Sequence, residues 1–121
     1  MSLVLVVDDE APNRELLRVL LAHDGHRVLD AEDGEIALEL FLEHRPDLLI
    51  VDLYMPGMTG TDLIKHVRRH DETGQTKIAL YTGTDTGAAL LDFMKMMNVG
   101  HVIPKPAEPE TIIAAIRSAL S

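Results

Sequence analysis

A chain of 121 residues, 46% apolar and 26% charged, has the balance of one compact domain with its own core and leaves no room for a second. Its 20 acidic against 11 basic side chains give a net charge of −9, which disfavours direct nucleic-acid binding because phosphate neutralisation needs a basic face. There is no cysteine, hence no disulfide and no thiolate metal ligand, and no apolar run nears the roughly 18 residues that span a bilayer.

The chain opens with LVLVV (Leu3–Val7), a continuous apolar run of the kind found in strands buried on both faces. It runs straight into Asp8, Asp9 and Glu10, which is unlike a signal peptide, so a cytoplasmic location with no membrane partner is expected. Pro12 suits the first turn of a helix whose Leu16, Leu17, Leu20 and Leu21 form a stripe ending near Gly25. RVLDA (Arg27–Ala31) reads as a second strand. Asp33-Gly34 opens a helix with Ile36, Ala37, Leu40 and Phe41 on one face. It must stop before Pro46, since the residue preceding proline avoids the helical region.

DLLIVD (Asp47–Asp52) is a third buried strand, and the loop LYMPGMTG leads to a helix carrying Leu63, Ile64 and Val67. KIALYT (Lys77–Thr82) is a fourth strand. GTDTG then opens a helix near Asp85 that runs through Leu90, Leu91, Met94 and Met97. HVI (His101–Ile103) is a brief fifth strand, and the last helix starts near Glu108-Pro109 with Ile112, Ile113, Ile116 and Leu120 inward.

Strand–helix units in succession predict an α/β fold with a parallel sheet, and right-handed crossovers put helices on both faces of an open, doubly wound sheet. Pro104 cannot donate a ladder bond, which assigns the fifth strand to a sheet edge. Ligands in such sheets bind beyond the carboxyl ends of the strands. Four strands end there in reactive or polar groups: Asp8-Asp9, Asp52, Thr82-Gly83 and Lys105-Pro106. If the first and third strands are neighbours, three carboxylates converge. Such a cluster repels itself and suits a hard divalent cation, Mg²⁺ or Mn²⁺, which takes oxygen ligands and is commonly shared with a phosphate. One carboxylate is left as a nucleophile towards phosphorus, Lys105 can neutralise charge, Thr82 can donate a hydrogen bond and Gly83 leaves room for an incoming group. Phosphoryl transfer needs this inventory.

The segments VVDDE, LLIVDLYMPGMTG, IALYTG and PKP, in this order and spacing, resemble the receiver domain of two-component response regulators over essentially the whole chain, residues 1–121. The resemblance implies a flavodoxin-like fold of five strands in the order 2-1-3-4-5 with five helices. It implies a phosphoryl group donated to an aspartate by a sensor histidine kinase or a histidine phosphotransfer protein, and a downstream effector domain or protein that responds. By position it implies Asp52 as phosphoacceptor and also a metal ligand, Asp8 and Asp9 as the Mg²⁺-binding pair with Asp9 the more direct ligand, and the backbone carbonyl of Tyr54 completing the metal site. Thr82 takes the place of the switch hydroxyl and Lys105 that of the phosphate-pairing lysine, and a cis Lys105–Pro106 bond is implied. Such a module catalyses its own phosphorylation and dephosphorylation but turns over no independent substrate. The cognate kinase and the output are not named by these residues. Nor does the final helix name a dimer partner, which leaves a weak dimer open.

The pattern has departures. Val102 stands where the family often has a Tyr or Phe three residues before the lysine, so an aromatic rotamer switch is excluded there. Movement of the loop after Thr82 and of the following helix is the expected substitute. Tyr54 and Thr84 should flank the phosphoryl group and affect attacking water. A haloacid-dehalogenase-type phosphohydrolase would need an acid where Tyr54 stands, and a flavodoxin would need a phosphate-binding loop where the acids follow the first strand. A receiver used only as a constitutive docking surface is the remaining alternative. KHVRRH (Lys65–His70) reads as a solvated helix face, and His66 and His70 lack a third zinc ligand. Phe93, Met94, Met96 and Met97 are expected to fill the core, with a partner-binding surface the alternative for Met96, which points furthest from it.

Overall fold

The five apolar runs become five parallel strands in a computed structural model, which describes residues 2–71, 74–83 and 87–121. They are β1 (Leu3–Val7), β2 (Arg27–Ala31), β3 (Leu48–Val51), β4 (Lys77–Thr82) and β5 (His101–Pro104). They lie side by side in the order β2-β1-β3-β4-β5, with β5 at the edge where Pro104 needs no partner for its missing N–H. Each strand returns to the sheet through a helix: α1 (Ala11–His23), α2 (Gly34–His44), α3 (Gly60–His70), α4 (Ala88–Met97) and, after β5, α5 (Pro109–Leu120). No helix among the described residues is long and apolar enough to cross a membrane.

Alternation along the strands builds two cores. Val4, Val6, Leu48, Ile50, Ala79, Tyr81 and Ile103 point to α1 and α5, where Leu17, Leu21, Ile112 and Ile116 meet them. Leu5, Val7, Leu49, Val51, Ile78 and Leu80 point the other way, to Ala37 and Phe41 of α2, to Leu63, Ile64 and Val67 of α3, and to Met94 of α4. With both faces covered, the interior strands β1 and β3 are apolar throughout, whereas the edge strand β2 carries Arg27 and Asp30; each fully buried Leu or Ile contributes about 2 kcal/mol of transfer free energy.

The helix starts follow their caps. Asp33 accepts from the Ile36 N–H at 2.9 Å and Thr59 from the Asp62 N–H at 3.2 Å. Arg45 ends α2 in the left-handed region, φ 47°, just before Pro46, and lays its guanidinium over the Phe41 ring at 5.0 Å. The described part of α4 starts at Ala88 after Gly87; Asp85, where a start was expected, lies outside the described residues.

The helix stripes were drawn too wide. Leu16, Ile36 and Leu91 are 39%, 37% and 47% exposed, because a helix on a sheet buries mainly its i, i+4 row, here Leu17 with Leu21 and Ala37 with Phe41. Met96, expected in the core, is 77% exposed, and Met94 fills that place with Phe93 and Met97 packed beside it.

Candidate functional site at the carboxyl end of the sheet

Register brings the strand ends level. Val7 pairs with both Ala31 and Val51, and Val51 pairs with Leu80. One further ladder bond continues each central strand, from the Asp8 N–H to the Ala31 carbonyl at 3.2 Å and from the Asp52 N–H to the Val7 carbonyl at 3.0 Å. Two adjacent strands therefore deliver Asp8 and Asp52 side by side, both buried. On the other flank, the Lys105 N–H donates to the Thr82 carbonyl at 3.1 Å, which carries the β4–β5 pairing one residue beyond Pro104.

Lys105 then turns back over the sheet end. Its Nζ stands 2.6 Å from Asp8 Oδ2 and 3.3 Å from Asp52 Oδ2, with the Tyr81 ring centroid 4.8 Å away. The bond between Lys105 and Pro106 is cis, as the resemblance implied. Gly83 also lies close against the Lys105 segment. A Cβ there would stand 3.3 Å from the Lys105 carbonyl oxygen, so its bareness lets the Lys105 segment approach β4.

Burial raises the Asp52 carboxyl above its ordinary pKa; Lys105 pulls it down and the charge of Asp8 pushes it further up. Burial works against the Lys105 ammonium too, but its bond to Asp8 and the charges of Asp8 and Asp52 outweigh this and raise its pKa. Burial likewise raises that of Tyr81. The site holds a buried carboxylate whose charge is disfavoured by burial and by Asp8 and favoured by Lys105 beside it.

The Asp8, Asp9 and Glu10 carboxylates each bring an oxygen within 4.8 Å of the others. Asp8 is buried and the other two are exposed, and Asp8 Oδ1 already accepts the Glu10 N–H at 2.9 Å. An all-oxygen donor set with its charge concentrated in one loop fits a hard divalent cation. Glu10 was not singled out from the sequence, although it continues the same acidic run. Tyr54 follows Asp52 with its side chain 65% exposed, and its N–H donates to Asp52 Oδ1 at 3.4 Å. Beside it a cleft of about 360 Å³, lined by Leu53, Tyr54, Thr59 and Leu90 among others, opens to solvent. The Thr82 side chain is buried at the end of β4. Val102 packs half-buried against the core on the α4 side, and Thr84 lies outside the described residues.

Gly60 is a further residue that positions the site. A Cβ there would lie 2.3 Å from the Asp52 carbonyl oxygen and 2.8 Å from the Leu53 Cα. Only glycine lets α3 start directly against the backbone that carries Asp52.

Residues 4–117 match the family model of the response regulator receiver domain. The chain is 31% identical over 119 residues to the phosphate regulon transcriptional regulatory protein PhoB of Escherichia coli K12, covering 97% of this chain and 51% of that protein. It thus spans about half the length of the curated relatives it matches. Over 66 residues it is 48% identical to the sensor histidine kinase AruS of Pseudomonas aeruginosa, covering 54% of this chain and 7% of AruS. The solved structure of the chemotaxis protein CheY4 of Vibrio cholerae superposes with a TM-score of 0.91 at 32% identity, covering 99% of both chains.

Proposed function

Because this chain belongs to the response regulator receiver domain family, we propose that it is the phosphoacceptor module of a two-component phosphorelay, taking a phosphoryl group onto Asp52. The donor is a phosphohistidine of a sensor histidine kinase or a histidine phosphotransfer protein, and the reader is an effector domain or protein. Two-component phosphorelays of this kind run in the cytoplasm. The observation that carries this reading is the meeting of Asp8, Asp52 and Lys105 at 2.6 and 3.3 Å, at the ends of three different elements.

An Asp52 carboxylate oxygen attacks phosphorus in line, forming an O–P bond as the donor N–P bond breaks and the imidazole leaves. Asp8, Asp9 and Asp52, with the Tyr54 carbonyl, would hold Mg²⁺ or Mn²⁺. The bound cation supplies charge neutralisation for the acids and the transferring oxygens. Lys105 shifts from bridging two carboxylates to pairing with a phosphoryl oxygen, and the Thr82 hydroxyl donates to another. The same groups later orient water for hydrolysis, which returns Asp52 and free phosphate, with no independent substrate turned over. Tyr54, exposed beside Asp52, sets the access of that water.

Phosphorylation replaces one carboxylate by a group of about −2 charge, and the new bonds to Thr82 and Lys105 favour a second conformer. With Val102 in place of an aromatic ring, the readout falls to the segment after Thr82 and to α4. Intact mass after incubation with Mg²⁺ and acetyl phosphate tests the core of the proposal. Wild type should gain one phosphoryl group and Asp52→Asn should gain none. Equal uptake by both, or uptake by neither, would leave a constitutive docking module as the better reading.

A further inference from the structure

We infer that Asp30 of β2 sets the affinity of the acidic loop for its divalent cation by anchoring Arg14, a positioning residue that grips the backbone of Asp8; this rests on the cation site proposed above. Arg14, in the first turns of α1, donates from Nη1 to the Asp8 carbonyl oxygen at 2.8 Å. Its Nε donates to Asp30 Oδ2 at 3.2 Å, and the second oxygen of Asp30 accepts from Arg18 Nη1 at 3.2 Å, one helical turn further along. A single carboxylate on the neighbouring strand thus holds two guanidiniums, one of which holds the peptide unit leading from Asp8 into Asp9.

The arrangement suits arginine alone. A guanidinium presents several N–H groups in a fixed fork and can face a carboxylate and a carbonyl at once, while a lysine ammonium cannot span both with defined geometry. Arg14 and Asp30 are largely shielded, with side chains 17% and 30% exposed, so their geometry is better defined than that of a surface pair. The other end of the loop is fixed independently, with the Asn13 and Arg14 N–H groups on the Glu10 carbonyl at 3.1 and 3.3 Å. Arg14 therefore closes a short span in which Asp9 and Glu10 face solvent and repel each other. Released from Asp30, that span would have to be ordered by the cation itself, at a cost in affinity. Partners that orient a metal ligand without touching the metal act in this way.

The test is Mg²⁺ titration followed by calorimetry and by the tyrosine fluorescence of Tyr54 and Tyr81 together, with urea unfolding run in parallel to report stability separately. Asp30→Asn and Arg14→Lys should each weaken Mg²⁺ binding about tenfold, and the double variant should be no worse than either. Asp30→Glu, which can still reach both guanidiniums, should restore most of the affinity. Glu32→Gln removes the same charge close by without touching Arg14 and should change affinity less than about twofold. If wild type binds Mg²⁺ and Asp30→Asn or Arg14→Lys binds it equally well, the inference fails and the proposed function stands. It fails too if Glu32→Gln loses as much as Asp30→Asn. Wild type that binds no Mg²⁺ would overturn both.

Discussion

The Lys105 ammonium donates to Asp8 Oδ2 at 2.6 Å, joining residues 97 positions apart across the carboxyl end of the sheet. Lys105 therefore occupies an oxygen that a divalent cation would otherwise draw on, and the two positive charges compete for one buried carboxylate. Lys105→Met should tighten Mg²⁺ binding by about threefold to tenfold, even though it removes a group the phosphoryl acceptor needs. Calorimetric titration decides it, and weaker binding by the variant would count against the competition.

Gly60 packs α3 against the backbone of Asp52, where a Cβ would meet main-chain atoms rather than a flexible side chain. Gly60→Ala should cost about 2–3 kcal/mol, because neither the helix start nor the strand end can yield without moving the site. Urea unfolding measures the cost, and loss of Mg²⁺ affinity in the same variant would show that the displacement reaches Asp52.

Arg68 ties the far ends of three elements together. Its guanidinium donates to the carbonyls of Met97, Thr76 and Asn98 at 2.7, 2.7 and 3.1 Å and to Asp71 Oδ2 at 3.0 Å. Burial lowers its pKa and Asp71 opposes that shift, without bringing it near neutrality. Arg68→Ala strips the buried Asp71 carboxylate of its counter-charge, leaving it only the Gln75 and Thr76 N–H groups, takes a donor from three carbonyls, and should destabilise by about 3 kcal/mol. Arg68→Lys should recover only part of it, and amide exchange should quicken first at the carboxyl end of α4.

Asp24, which caps α1, accepts from Arg117 of α5 at Nε, 3.1 Å away, and also at Nη2. That bond holds its carboxyl below the ordinary 3.8, with burial opposing and the charges of Arg117, His26 and His23 assisting. A lowered carboxyl pKa stabilises the fold above the unfolded group's titration range, and the contribution disappears as pH falls through the folded value. Asp24→Asn should melt below wild type near neutrality, and the two curves should converge as pH drops below the ordinary carboxylate range. Added salt should narrow the gap, since the pair lies at the surface.

The interior strands β1 and β3 were legible because burial on both faces forces continuous apolar runs, and Pro104 placed β5 at an edge through its missing N–H. Asp8, Asp52 and Thr82 were legible as polar residues ending apolar runs. The contacts between them were less so. That Lys105 sits nearer Asp8 than Asp52, and over the Tyr81 ring, depends on how the β5–α5 segment folds back, which no local pattern records. Arg14 was not singled out from the sequence, since its grip on Asp8 depends on a strand that arrives sixteen residues later. Met96 misled because a helix rich in methionine has no sharp boundary between its two sides.

The strand order has a consequence for synthesis. Of the five strands β1 is made before the others yet ends inside the sheet, bonded on one side by β2 and on the other by β3. Until Leu48–Val51 has been made, one flank of the acid-bearing strand is an open template that foreign strands can join. Slowing translation just before that segment should therefore lower the yield of soluble chain more than the same pause placed after β4.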